Sequence, residues 1–185
     1  MTGPVTAFSG TRRDAVTLLL IGLLALNAVI YTAGGRAAES ADAVAWFALL
    51  ALYEWECRRH AAARRPRLDA VLFACRLGAA IAIVLSAVTF LCEQEWLDTI
   101  NAWLWIGVVI VLEVEVRLAN TATTHRRSLL AVSVLLYGGL AAVMLTWLFQ
   151  GEWFDAYDAS LWIAAFALIE MGLLKGNVGS TQAVT

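Results

Sequence analysis

Apolar residues gather into six long runs divided by short polar stretches. A helix needs ~20 mostly apolar residues to cross a bilayer. The runs fit that length: Ala15–Ala33, Ala41–Cys57, Ala70–Cys92, Leu97–Val116, Leu129–Phe149 and Ala159–Leu174. The only prolines, Pro4 and Pro66, fall outside them. Nothing in the runs therefore forces a kink. The pattern predicts an all-α, polytopic membrane protein with six transmembrane helices. The first run exceeds the ~7–15-residue apolar core of a signal peptide, so it is read as a span.

The polar stretches set the expected orientation, because Lys and Arg concentrate on the cytoplasmic side. One side holds Arg12, Arg13, Arg58, Arg59, Arg64, Arg65, Arg67, Arg117, Arg126, Arg127 and Lys175. The other carries Glu39, Asp42, Glu93, Glu95, Asp98, Glu152, Asp155 and Asp158, with Arg36 its sole basic residue. Both termini are expected in the cytoplasm of a bacterial-type inner (plasma) membrane. Tails at 1–14 and 175–185 would flank a transmembrane domain at 15–174.

The even-numbered runs are variants of one sequence. A Trp precedes a Glu by eight positions in each: Trp46 and Glu54, Trp105 and Glu113, Trp162 and Glu170. Thr89 to Trp96 (TFLCEQEW) parallels Thr146 to Trp153 (TWLFQGEW), and pairs three apart recur as Glu39/Asp42, Asp98/Asn101 and Asp155/Asp158. The first copy lacks the Glu-Trp pair and has Arg36-Ala37 there. The chain thus reads as three tandem, parallel two-helix repeats, at about 12–60, 67–119 and 126–175. Parallel repeats are related by an axis along the membrane normal, which predicts a pseudo-threefold six-helix bundle.

Composition agrees with this reading. The 185 residues are 61% hydrophobic and 15% charged, against ~45–50% and ~25% in ordinary soluble domains. A net charge of −2 leaves no basic footprint for nucleic acid. The expected partners are the lipid bilayer and other membrane proteins or further copies of the chain.

Glu54, Glu56, Glu113, Glu115, Glu170 and Arg76 fall inside the runs, where each charge costs roughly 2.5–3.5 kcal/mol at a helix centre. Glu54 precedes Arg58 by four residues, placing it ~6 Å from the cytoplasmic edge. Glu54, Glu113 and Glu170, with Arg76, form the candidate intramembrane charge site. They either neutralise one another in packing or converge as a cation or proton site. Seven of the eight Trp lie toward the outer ends. With the acidic loops they make a candidate outer aromatic and acidic surface: Trp96, Asp98, Trp105, Trp153, Asp155 and Trp162. It is read first as a lipid belt, with attraction of organic cations as the alternative. A stripe of Ala74, Gly78, Ala82 and Ser86, and Gly138–Gly139 further on, are expected to let helices pack closely within the chain. Asn27 is expected to make a helix–helix hydrogen bond.

His60 and His125 fall in or near cytoplasmic loops, and Cys57, Cys75 and Cys92 form no CxxC pair. No cofactor, metal site or catalytic group is expected, and the chain is not read as an enzyme. The features favour a non-catalytic membrane subunit or scaffold that packs against partner membrane proteins. The alternative is a small transporter or channel for a cation, proton or organic cation, using the three repeat-related Glu.

Overall fold

The computed structural model describes the backbone at 5–59, 66–118 and 123–182, and side chains at 15–53, 55, 67–114 and 128–168. Among the described residues the chain forms six α-helices: α1 (Val5–Gly34), α2 (Ala37–Arg59), α3 (Pro66–Cys92), α4 (Trp96–Leu118), α5 (Thr123–Gln150) and α6 (Trp153–Gln182). The fold is all-helical.

Among the described residues, four helices contain stretches long and apolar enough to cross a membrane: Ala15–Gly34, Arg67–Cys92, Trp96–Val114 and Ser128–Gln150. Only 11–22% of the most apolar window in each is buried. Side chains such as Phe73, Leu85, Leu135 and Phe149 stand exposed along α3 and α5. Apolar surface this extensive needs an apolar surrounding, which makes these helices compatible with an integral, multi-pass membrane protein in contact with lipid.

The chain divides into two compact units. One comprises Ala25–Gly139 and the other Met1–Leu24 with Leu140–Thr185. In the first unit α3 packs against both α2 and α4. Its core takes Ala45, Trp46 and Leu50 from α2, Ala79, Ile83, Ala87 and Phe90 from α3, and Ala102, Trp105, Val108 and Val111 from α4. Ala87, Phe90 and Ala102 cluster together, with Ala38 and Ile106 against them. Asn27 is buried and partnered, in keeping with a structural role. In the second unit Leu24, Leu140, Val143, Trp147, Ala156, Ala159, Ala165 and Phe166 are buried.

The expected small-residue stripe on α3 is only partly internal. Ser86 is buried and Ala82 half-buried, but Ala74 and Gly78 are exposed. The reason is geometric: residues four apart drift ~40° around a helix of 3.6 residues per turn, so the stripe winds off the packed face. Close packing occurs instead between α4 and α5. A Cβ on Gly107 would lie 2.9 Å from Leu136 Cδ2, and one on Gly139 would lie 3.1 Å from both δ carbons of Leu104. Each helix thus sets a leucine over the other's glycine. In lipid such close approach matters, because burial from water does not drive helix association there.

The helix corners are short and follow from local chemistry. At the α3–α4 corner the Gln94 N–H donates to Leu91 O (3.2 Å) and the Glu95 N–H to Phe90 O (3.0 Å). At the α5–α6 corner the Gly151 N–H donates to Leu148 O (3.4 Å) and the Glu152 N–H to Trp147 O (2.9 Å). Both are Schellman endings, with positive φ at Gln94 (62°) and Gly151 (86°). Glu95 and Glu152 then open the next helices, their carbonyls accepting from the Thr99 and Ala156 N–H groups. The α1–α2 corner, like the α5–α6 corner, has only two residues between the helices, here Gly35 and Arg36. A Cβ on Gly35 would stand 2.6 Å from Tyr31 O, so this close backbone approach requires glycine.

Candidate functional site

The densest polar cluster among the described residues lies where the α1–α2 corner meets the α3–α4 corner, and Arg36 is its centre. Arg36 opens α2: its carbonyl accepts from the Ser40 N–H at 2.9 Å, and its own N–H donates to Glu39 Oε2 at 3.0 Å. This is the side-chain half of a capping box, closing a backbone group that the helix start leaves unsatisfied. The Arg36 Nε donates to Glu39 Oε1 at 2.7 Å. Across the interface, Nη1 donates to Glu95 Oε1 at 2.7 Å and to Glu93 Oε2 at 3.4 Å, while Nη2 reaches Asp98 Oδ2 at 3.4 Å. One guanidinium therefore faces four carboxylates. Five N–H donors in a rigid fork suit Arg to this task, which the compact Lys ammonium could not perform in the same way.

The cluster is partly open to solvent, Arg36 and Glu95 being 44% and 46% exposed. Each pair at such a surface contributes ~0.2–1 kcal/mol. The hydrogen bond with Glu39 does most to raise the Arg36 pKa above its already high ordinary value. Glu95 and the charges of both acids act the same way, and outweigh the opposing effect of partial burial. A raised cation pKa adds stability that is complete below the ordinary value and lost only above it. Arg36 therefore stays charged throughout the physiological range.

Beneath the cluster, one oxygen each of Asp42 and Asn101 is buried one turn further along α2 and α4. A further turn in, Trp46 and Trp105 meet with ring centroids 6.2 Å apart and planes at 59°. Tilted aromatic pairs of this kind contribute ~0.5–1.5 kcal/mol beyond their burial. The ion cluster, the polar layer and the aromatic pair form successive layers where α2 approaches α4.

The residues singled out in the sequence divide as follows. Asp98 belongs to the Arg36 cluster. Trp96 and Trp153 are exposed at the starts of α4 and α6, whereas Trp105 is buried against Trp46. Trp162 is half-buried against Phe166, centroids 6.2 Å apart, and Asp155 is half-buried and partnered. Glu113 is exposed on α4 and Arg76 half-buried on α3, both partnered. The side chains of Glu54 and Glu170 lie outside the described residues, as do those of Glu56, Glu115, His60, His125 and Cys57.

Arg36 itself was visible in the sequence as the only basic residue among the acidic loops, and as the departure from the Glu-Trp pattern. That double anomaly was the signal for its role. Thr32 was also missed. It precedes Thr89 and Thr146 at intervals of 57, and all three hydroxyls donate to the carbonyl four residues earlier, at 3.0, 2.9 and 2.8 Å.

Among the described residues no group of three or more His, Cys, Asp or Glu is arranged to hold a metal ion. Cys75 and Cys92 are free and exposed. The acids of the Arg36 cluster face a fixed cation, an arrangement that ties the two helix corners together. No known protein family, curated protein or solved structure matches this chain.

Proposed function

We propose that the chain is a non-catalytic membrane subunit or scaffold: six spans built as three tandem helical hairpins, packing against partner membrane proteins or further copies. In this reading the basic loops and both termini face the cytoplasm of a bacterial-type inner membrane, and the three short corners lie outside. The observation that carries it is the pairing at the acidic end, where charges that could have lined an entry path are gathered onto Arg36. Three further features support it. The four apolar helices are mostly unburied, offering broad surface to neighbours. The α3–α4 and α5–α6 corners share their turn hydrogen bonds at a 57-residue interval, as tandem hairpins would. Positive φ, among the described residues, is confined to those corners, so the helices offer no broken segment of the kind many transporter sites use.

The runner-up is a small cation or proton transporter. The excess of acid around Arg36, four carboxylates to one guanidinium, favours it. Reconstitution separates the two readings. Purified protein in liposomes should pass no Na⁺, K⁺ or proton flux above empty vesicles. In gently solubilised native membranes it should migrate in a stoichiometric complex. A flux that Glu113→Gln abolishes, or a monodisperse chain without any partner, would overturn the subunit reading.

A further inference from the structure

We propose that Arg36 is an ionic latch that couples the α1–α2 corner to the α3–α4 corner, so that neither corner opens alone. The first observation is the division of its donors. Nε and the backbone N–H serve Glu39 within the corner, while Nη1 and Nη2 serve Glu93, Glu95 and Asp98 across it. A residue that only capped its own helix would need the first pair alone.

The second is what the guanidinium holds apart. Without Arg36, three acids from the α3–α4 corner would face Glu39 with no intervening cation, and like charges at this range repel. Arg36 thus joins the corners and also quenches the repulsion that would part them.

The third is where the crossing bonds land. Glu95 is both the end of the α3 Schellman turn and the start of α4, with its N–H on Phe90 O and its carbonyl on the Thr99 N–H. Pulling on Glu95 therefore loads both helix ends. Phe90 belongs to the buried cluster with Ala87 and Ala102, so the latch connects directly to the core. Gln94, beside it, holds a positive φ that a non-glycine residue adopts at a cost. The α3–α4 corner is accordingly one that gains from an external hold.

Hydrogen exchange of the full chain in lipid nanodiscs tests this. Arg36→Gln should speed exchange about threefold to tenfold at the amides of Ser40, Glu95 and Thr99 together. The Ala156 amide, at the corresponding place in the α5–α6 corner, should not change. Glu95→Gln, with Arg36 intact, should speed exchange at Ser40 from the other side. The exchanged pair Arg36→Glu with Glu95→Arg should recover much of the loss. Acceleration confined to the α1–α2 corner, an unresponsive Ser40 in Glu95→Gln, or an exchanged pair no better than its single variants would each reduce Arg36 to a local cap. If Arg36→Gln does not insert, Glu95→Gln alone decides, since it leaves the capping bonds in place.

Discussion

Replacing Gly35 by alanine tests the tightest point in the fold. The added Cβ would stand 2.6 Å from Tyr31 O and 2.9 Å from Glu39 Oε2. The glutamate can swing away. The carbonyl cannot move freely, because it accepts the Gly35 N–H at 2.8 Å and the Ser40 hydroxyl at 2.8 Å. Relief by backbone movement costs about 1–3 kcal/mol, the range for overpacking. A swing of Glu39 gives up its capping bond to Arg36, worth about 0.5–2 kcal/mol. Against this stands a gain of about 0.4–1 kcal/mol from a less flexible unfolded chain. The balance is a loss of roughly 1–4 kcal/mol, or about 2–16 °C in melting temperature at 2–4 °C per kcal/mol for a chain of this length. Gly34→Ala is the matched control, since a Cβ there meets nothing within 4 Å. Both variants should be melted in the same detergent, followed by circular dichroism. A Gly35→Ala protein as stable as Gly34→Ala would refute the account of this corner.

Two further tests probe other contacts. Gln94→Gly should raise stability by about 0.5–1 kcal/mol, and Gly151→Ala should lower it by about 1–2 kcal/mol, because both positions hold positive φ; paired melting curves check the opposite signs. Gly107→Ala and Leu136→Ala should couple in a double-mutant cycle by about 0.5–1 kcal/mol, since the first crowds the side chain that the second removes. Strict additivity would place the two residues out of contact.

The helices and their corners could be read in the chain because they depend on local facts: run length, proline placement and charges between runs. What could not be read depends on the phase of each helix against its neighbours. The tryptophans illustrate the difference. Trp96 and Trp105 both lie toward one end of α4, and position alone made them one belt. They are nine residues apart, which at 3.6 residues per turn places them ~180° apart around the helix. Trp96 is accordingly exposed while Trp105 packs on Trp46. Helical phase predicts that the two point opposite ways; only α2 decides which is inside. The Arg36 cluster was hidden for a related reason. Its acids were visible as loop charges, but Glu93, Glu95 and Asp98 are separated from Arg36 by 57, 59 and 62 positions.

The sign of the charge at position 36 also bears on why the cluster exists. A helix start carries a partial positive charge and favours acids, by about 0.3–1 kcal/mol. Glu95 and Glu152 obey this rule at the starts of α4 and α6. Arg36, at the start of α2, violates it. A cation there must be compensated, and Glu39 in the first turn of α2 supplies the nearest compensation. Glu39 would suffice if the only need were neutrality at that helix end. The remaining donors instead meet the acids that open α4, so the unfavourable placement on one helix is offset by favourable contacts on the other. That cross-dependence selects a particular pairing of corners: two acid-headed helices would repel here, whereas an arginine-headed and an acid-headed helix attract. Lysine at position 36 preserves the charge but not the planar fork, and should hold the pairing less well.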